Sequence, residues 1–221
     1  MSLTPPSQLI ALTPSHDCPL CPRLVAFRQD NRRKFPDFFN GPVPDWGDPK
    51  PRLIIVGLAP GLKGANRTGR PFTGDYAGDT LYQTLLKLGL ATGEYRATPD
   101  DTLQLRGVLI ANGVRCVPPQ NKPTGPEIAT CRQFLRPSFE QHPDALAYLA
   151  LGRIAHDQFL STMGERRAAF PFGHGREHVL TSGKRLFDSY HCSRYNTNTG
   201  VLTEAMFEDV VGRAATYVGL R

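Results

Sequence analysis

From Leu53 to Gly78 the chain reads LIIVGLAPGLKGANRTGRPFTGDYAG. The run Leu53-Ile54-Ile55-Val56 has strand character and empties into a long polar loop before a helical pattern starts at about Tyr76. Glycines recur through that loop at 57, 61, 64, 69, 74 and 78. This arrangement narrows the choice of fold to an α/β sheet with a binding loop at the carboxyl edge of a strand. Glycines there let backbone N–H groups approach a ligand closely. The loop also carries an acid (Asp75), three cations (Lys63, Arg67, Arg70) and a ring able to stack (Phe72).

The rest of the pattern fits one such domain spanning 221 residues. Apolar β-type runs occur at 52–57, 107–111, 145–151 and 185–190, with a further β-type segment near 178–180. Helical spacing covers Pro22–Lys34, 76–89, 126–141, 152–163 and 203–217. Alternating strands and helices predict a three-layer α/β/α fold around a central, mainly parallel, four-stranded sheet. The loops 57–75, 112–125 and 191–200 then meet beyond the strand carboxyl ends. No apolar run approaches the ~18 residues of a membrane span, and the N-terminus lacks the pattern of a secretory leader. The expectation is a cytoplasmic protein with no membrane partner.

The net charge of +6 suggests a polyanionic partner. Arg23, Arg28, Arg32, Arg33 and Lys34 crowd one segment whose only acid is Asp30. In a reducing compartment the cysteines serve as thiols, metal ligands or catalytic groups. Cys18 and Cys21 form C-x-x-C, and Cys116 and Cys131 make a second, wider pair. Four thiolates suit zinc or an iron–sulfur cluster, and the spacing does not choose between them. Cys192 stands apart, next to His191.

Three ordered motifs carry a resemblance. The first joins Gly57-Leu58-Ala59-Pro60-Gly61 to Arg67-Thr68-Gly69-Arg70-Pro71-Phe72-Thr73-Gly74-Asp75. The second is Asn112-Gly113-Val114-Arg115-Cys116 and its continuation to Pro123; the third is Tyr190-His191-Cys192-Ser193 followed by Asn196 to Gly200. Together they resemble the uracil-DNA glycosylase superfamily, and within it the iron–sulfur-containing type b, or fifth, family. The likeness runs from Cys18 to about residue 210. It departs from the thermostable-type branch at Leu58, where that branch usually has an acid. It departs from the His-Pro-Ser signature at Cys192, which removes a proline that shapes the loop entering the minor groove.

The resemblance implies a single glycosylase-like domain over residues 1–221, with an N-terminal segment of cluster ligands. Cys18, Cys21, Cys116 and Cys131 would hold a [4Fe–4S] cluster. The activity implied is monofunctional base excision: hydrolysis of the N-glycosidic bond of uracil, and of other deaminated bases such as hypoxanthine and xanthine, leaving an abasic site. No Schiff-base lysine stands in the motifs. The partner implied is double- or single-stranded DNA holding a deaminated base, bound by a monomer. His191 would donate to O2 of the departing base. Asp75 would orient water or stabilise the sugar cation, and also cap helix 76–89. Gly57, Leu58 and Gly61 would offer backbone contacts and Phe72 a stacking face, with Asn112 or Asn121 reading the base edge. Ser193, Arg194, Tyr195 and Asn196 would enter the DNA, helped by Arg67 and Arg70. A second reading is a catalytically weak nucleic-acid-binding iron–sulfur module on the same scaffold, suggested by Leu58-Ala59 and Cys192.

Overall fold

The structure is a computed structural model and describes residues 13–221. Residues 1–12, which bear on the absence of a leader and on the N-terminal reach of the single domain, lie outside the described residues. The elements run α1 (Pro22–Lys34), β1 (Trp46–Gly47), β2 (Leu53–Gly57), α2 (Ala65–Thr68), α3 (Tyr76–Lys87), β3 (Ala91–Thr92), β4 (Gln104–Leu105) and β5 (Val108–Asn112). Then follow α4 (Gly125–Glu140), β6 (Ala147–Leu151), α5 (Arg153–Met163), β7 (Glu177–Val179), β8 (Arg185–Ser189), α6 (Arg194–Asn198) and α7 (Glu204–Tyr217).

The main sheet has the order β1-β5-β2-β6-β8-β7. The four central strands are parallel, and they are the four that the apolar runs predict. The sheet is nevertheless six-stranded, because a short antiparallel strand closes each edge. β1 is two residues long inside a Pro/Gly-rich stretch, too short to show a period. β3 and β4 form a separate two-stranded ribbon.

Every residue of β2, β5 and β6 is buried. Parallel strands covered on both faces read this way, as continuous apolar runs. Alternate side chains divide between two layers. Leu53, Ile55, Val108, Ile110, Ala147 and Leu149 pack with Leu81 and Leu85 of α3 and Phe207 and Val211 of α7. Ile54, Val56, Leu109, Ala111, Tyr148 and Ala150 pack with Leu135 and Phe139 of α4 and Phe159 and Leu160 of α5. Each fully buried aliphatic or aromatic side chain contributes about 1.5–3 kcal/mol. The caps are local. Asp75 accepts from Gly78 N–H to start α3, and Thr124 with Glu127 forms a capping box at α4. β2, β5 and β8 all end at the same sheet edge, so the loops after them converge there. Among the described residues no helix is long and apolar enough to cross a membrane.

Candidate active site

Where those loops converge lies a cleft of about 400 Å³. Its walls include Leu58, Gly61, Phe72, Asp75, Asn112, Asn121, His191 and Arg194. Three loops far apart in sequence thus bring the expected acid, ring, amides and imidazole to one place. The cleft exists because small residues stand behind it. A Cβ on Gly57 would come within 2.7 Å of the Phe72 ring and would also strike the Asn112 carbonyl oxygen. One on Gly61 would come 2.9 Å from Asp75 Oδ2.

Asn112 ends β5 opposite Gly57, is only 2% exposed, and has an Oδ1 with no hydrogen-bond partner. A buried acceptor without a donor costs free energy unless a ligand supplies one. Phe72 sits beside it with φ of +52°, a conformation that a non-glycine residue adopts only when its surroundings enforce it. Its ring is 6.1 Å from that of His191 and 28° from parallel. Asp75 performs two tasks: Oδ1 accepts from Gly78 N–H at 3.1 Å, and the carboxylate lines the cleft. Burial holds the His191 pKa below its ordinary value, against the opposing pull of Asp75. The imidazole is therefore neutral near pH 7 and offers one N–H.

The 193–198 segment is more internally committed than the sequence predicts. Ser193 caps α6 by accepting from Asn196 N–H, and Asn196 Nδ2 donates to the His191 carbonyl at 2.8 Å. Both side chains hold the loop and His191 instead of standing free for DNA. Tyr195 is 74% exposed. The Arg194 guanidinium lies 5.3 Å over the ring of Tyr76, a cleft residue tied by its hydroxyl to Thr197. Arg67 is exposed. Arg70 corrects the expectation of a DNA contact: it is buried and paired with Asp101, whose side chain is fully buried too. The basic N-terminal segment is likewise not a free cationic face. Arg23 pairs with Glu127, Arg32 with Asp17 and Arg33 with Asp30, while Arg28 is buried.

Comparison with known proteins agrees with this geometry. The family model described as the uracil DNA glycosylase superfamily matches residues 44–214. A type-5 uracil-DNA glycosylase of Thermus thermophilus is 45% identical over 208 residues, covering 92% of this chain and 94% of that one. One from Pyrobaculum aerophilum is 40% identical, covering 92% and 90%. A type-4 enzyme of Sulfurisphaera tokodaii is 30% identical, covering 81% and 77%. The chain belongs to the uracil DNA glycosylase superfamily, in its type-5 branch.

Four of the five cysteines of this superfamily member come together in the fold. Cys18, Cys21, Cys116 and Cys131 line one small pocket with Leu24, Val114 and Phe134. None is in a disulfide. Arg28 Nη1 approaches Cys116 Sγ at 3.7 Å while Nη2 donates to the Cys18 carbonyl, and Arg115 N–H donates to Cys131 Sγ at 3.3 Å. Burial pushes the Cys116 thiol up to about 12 and Cys131 to about 11, so a cation is needed to hold them as thiolates. Among the described residues, no three of these sulfurs lie within 4.8 Å of one another. Cys192 is outside this group, fully buried with its thiol on the Ala77 carbonyl.

Sequence reasoning missed a buried trio behind β8. His156 Nδ1 meets Asp188 Oδ1 at 2.6 Å and its Nε2 meets the Phe170 carbonyl at 2.8 Å, while His178 Nε2 meets Asp188 Oδ2 at 3.0 Å. Both His156 nitrogens face acceptors, so the imidazolium satisfies both. Burial opposes that charge, yet Asp188 and the Phe170 carbonyl outweigh it and raise the pKa above the ordinary value. A raised folded-state pKa means stability that is complete below about pH 6.5 and is lost as pH rises through the folded value. Thermal melts from about pH 6 to 9 are expected to show a declining limb in the native chain that His156→Gln lacks.

Proposed function

We propose that the chain is a monofunctional DNA glycosylase that releases uracil, and other deaminated bases presenting the same edge, and leaves an abasic site. The observation that carries this is the unpartnered Asn112 carbonyl, set in one cleft with Phe72, Asp75 and a neutral His191. Uracil offers an N–H beside a carbonyl, and hypoxanthine offers the same pair from its six-membered ring. Either supplies the donor that Asn112 Oδ1 lacks. The base must first leave the stack, and the Phe72 ring gives it a surface. As the C1′–N bond breaks, its electron pair departs on the base and the sugar becomes cationic. His191 donates to the carbonyl oxygen of the leaving base, where that charge gathers. Asp75 faces the sugar, steadies its positive charge and orients the water whose oxygen bonds to C1′. The water's proton passes by way of Asp75 to solvent.

Cys18, Cys21, Cys116 and Cys131 hold a [4Fe–4S] cluster. Its presence is supported by four thiols that converge on one pocket, with Arg28 against them. When bound, the cluster supplies a tie between the segment before α1, the loop after β5 and α4. The partner is DNA, in duplex or single strand, met by a cytoplasmic monomer. Arg194 and Arg67 reach the phosphates, Asn121 stands at the cleft rim, and Tyr195 is the wedge that fills the vacated stack.

The base reading is tested by comparing duplexes carrying uracil and N3-methyluracil under single turnover. Methylation removes the N–H and sets a methyl group against Asn112, so release is expected to fall by a factor of about 10–100. Equal rates would contradict it. Arg194→Ala is expected to weaken binding to all sequences alike and to reduce the slope of log K against log salt by about 1. A salt titration of duplex binding measures that slope.

A further inference from the structure

We infer that Arg70 and Tyr95 are positioning residues: an interior cage around the Arg70 guanidinium fixes the backbone that aims Phe72 and Asp75 into the cleft. What the aimed groups accomplish rests on the glycosylase reading; the cage itself rests on contacts. Arg70 donates from Nη1 and Nη2 to the two oxygens of Asp101, each at 2.7 Å. Its guanidinium carbon lies 4.7 Å from the centre of the Trp46 ring, 5.6 Å from that of Tyr82 and 5.9 Å from that of Tyr95. Asp101 is held in turn by the N–H groups of Arg96 at 3.0 Å and Leu103 at 3.1 Å.

The cage grips the loop at three successive points around Phe72. Tyr82 donates its hydroxyl to the Pro71 carbonyl at 2.6 Å. Arg70 Nε donates to Thr73 Oγ1 at 2.7 Å. The Tyr95 hydroxyl accepts from Gly74 N–H at 3.2 Å. Phe72 lies between the first two anchors, in its left-handed conformation, and Asp75 directly follows the third. A side chain at Gly78 would strike the Phe72 carbonyl and come 3.1 Å from the Tyr95 hydroxyl, so α3 closes the arrangement from below. Backbone strain of this kind persists only where the surroundings over-determine it. An interior ion pair is a weak source of net stability, whereas a planar fork inside three aromatic rings is a strong source of fixed geometry. The 94–103 segment, joining β3 to β4, supplies Tyr95 and Asp101 and so takes part in the site without touching the cleft.

The test uses the full chain and two variants. Tyr95→Phe removes one hydroxyl and keeps the ring; Arg70→Lys keeps the charge and loses the fork. For Tyr95→Phe we expect a roughly tenfold slower single-turnover release of uracil, since small misplacements of reacting groups are costly in rate. Affinity for a duplex carrying a non-hydrolysable 2′-fluoro-deoxyuridine is expected to stay within about twofold, and the melting temperature within roughly 2 °C. Hydrogen exchange is expected to quicken over residues 72–78 and not elsewhere. Arg70→Lys is expected to slow release by about a hundredfold with the same local exchange signature. Unchanged release and unchanged exchange in Tyr95→Phe would overturn the inference. So would exchange that quickens throughout the chain with affinity and rate falling together, which is plain destabilisation. A native chain that releases no base would overturn the glycosylase reading instead, and the exchange pattern would still decide whether the cage holds the loop.

Discussion

Asp75→Asn is expected to slow base release by on the order of 10²–10³-fold while leaving the melting temperature unchanged. One side chain performs two tasks here. Oδ1 caps α3 through Gly78 N–H, and the carboxylate faces the cleft. Asparagine caps a helix about as well as aspartate, so the substitution removes charge and keeps the cap. Asp75→Ala removes both. Its cost includes about 1 kcal/mol of cap, which lowers the melting temperature of a domain this size by about 2–4 °C, on top of a similar loss of rate. Single-turnover kinetics with parallel thermal melts separate the two contributions. A rate that follows the melting temperature, falling in Asp75→Ala and not in Asp75→Asn, would reduce Asp75 to a helix cap.

The other large effect belongs to the cysteines. Cys131→Ala is expected to abolish iron and acid-labile sulfide, about four of each per chain in the native protein. A structural metal site holds on the order of 10 kcal/mol of folding free energy. Losing it is expected to remove ~5 kcal/mol or more, a fall of roughly 10–20 °C in melting temperature. The ties explain why so much rests there. Cys18 and Cys21 precede α1, Cys116 follows β5 and Cys131 is on α4, so one centre joins segments separated by up to about 110 residues. Cys192→Ser is the control. That thiol is buried against the Ala77 carbonyl, away from the other four, and its loss is expected to leave the iron content intact. Iron analysis and calorimetry on the two variants measure both effects. A Cys131→Ala chain with full iron would contradict the ligand assignment.

The central sheet and the cleft could be read from the chain because both rest on local signals. Buried parallel strands are short apolar runs, and the loops after them are marked by glycine and by polar groups such as Asp75 and Asn112. One sheet edge is legible, as the β-type segment near 178–180 that forms β7; the other is not, because Trp46–Gly47 is a strand only where β5 lies beside it. Arg70 is hidden from sequence for a related reason. In sequence it is one more cation in a polar loop, and its partner Asp101 stands 31 positions away among residues without a period. The aromatic rings around it come from β1, α3 and the loop after β3. Ser193 and Asn196 look like free polar groups in a DNA loop, and only the fold shows them turned toward a cap and a carbonyl. The His156–Asp188 pair joins α5 to β8 and leaves no motif. Ion pairs and hydrogen bonds formed in tertiary structure have no period to betray them.

The most direct measurement takes the native chain and a sealed duplex with one uracil, and follows two quantities in the same reaction: free base released, and integrity of the strand before alkali. Release of one uracil per duplex with an unbroken strand, which breaks only when alkali is added, is the predicted result. An intact uracil-containing strand that binds the protein and yields no free base would contradict the account and leave a binding module on a glycosylase scaffold.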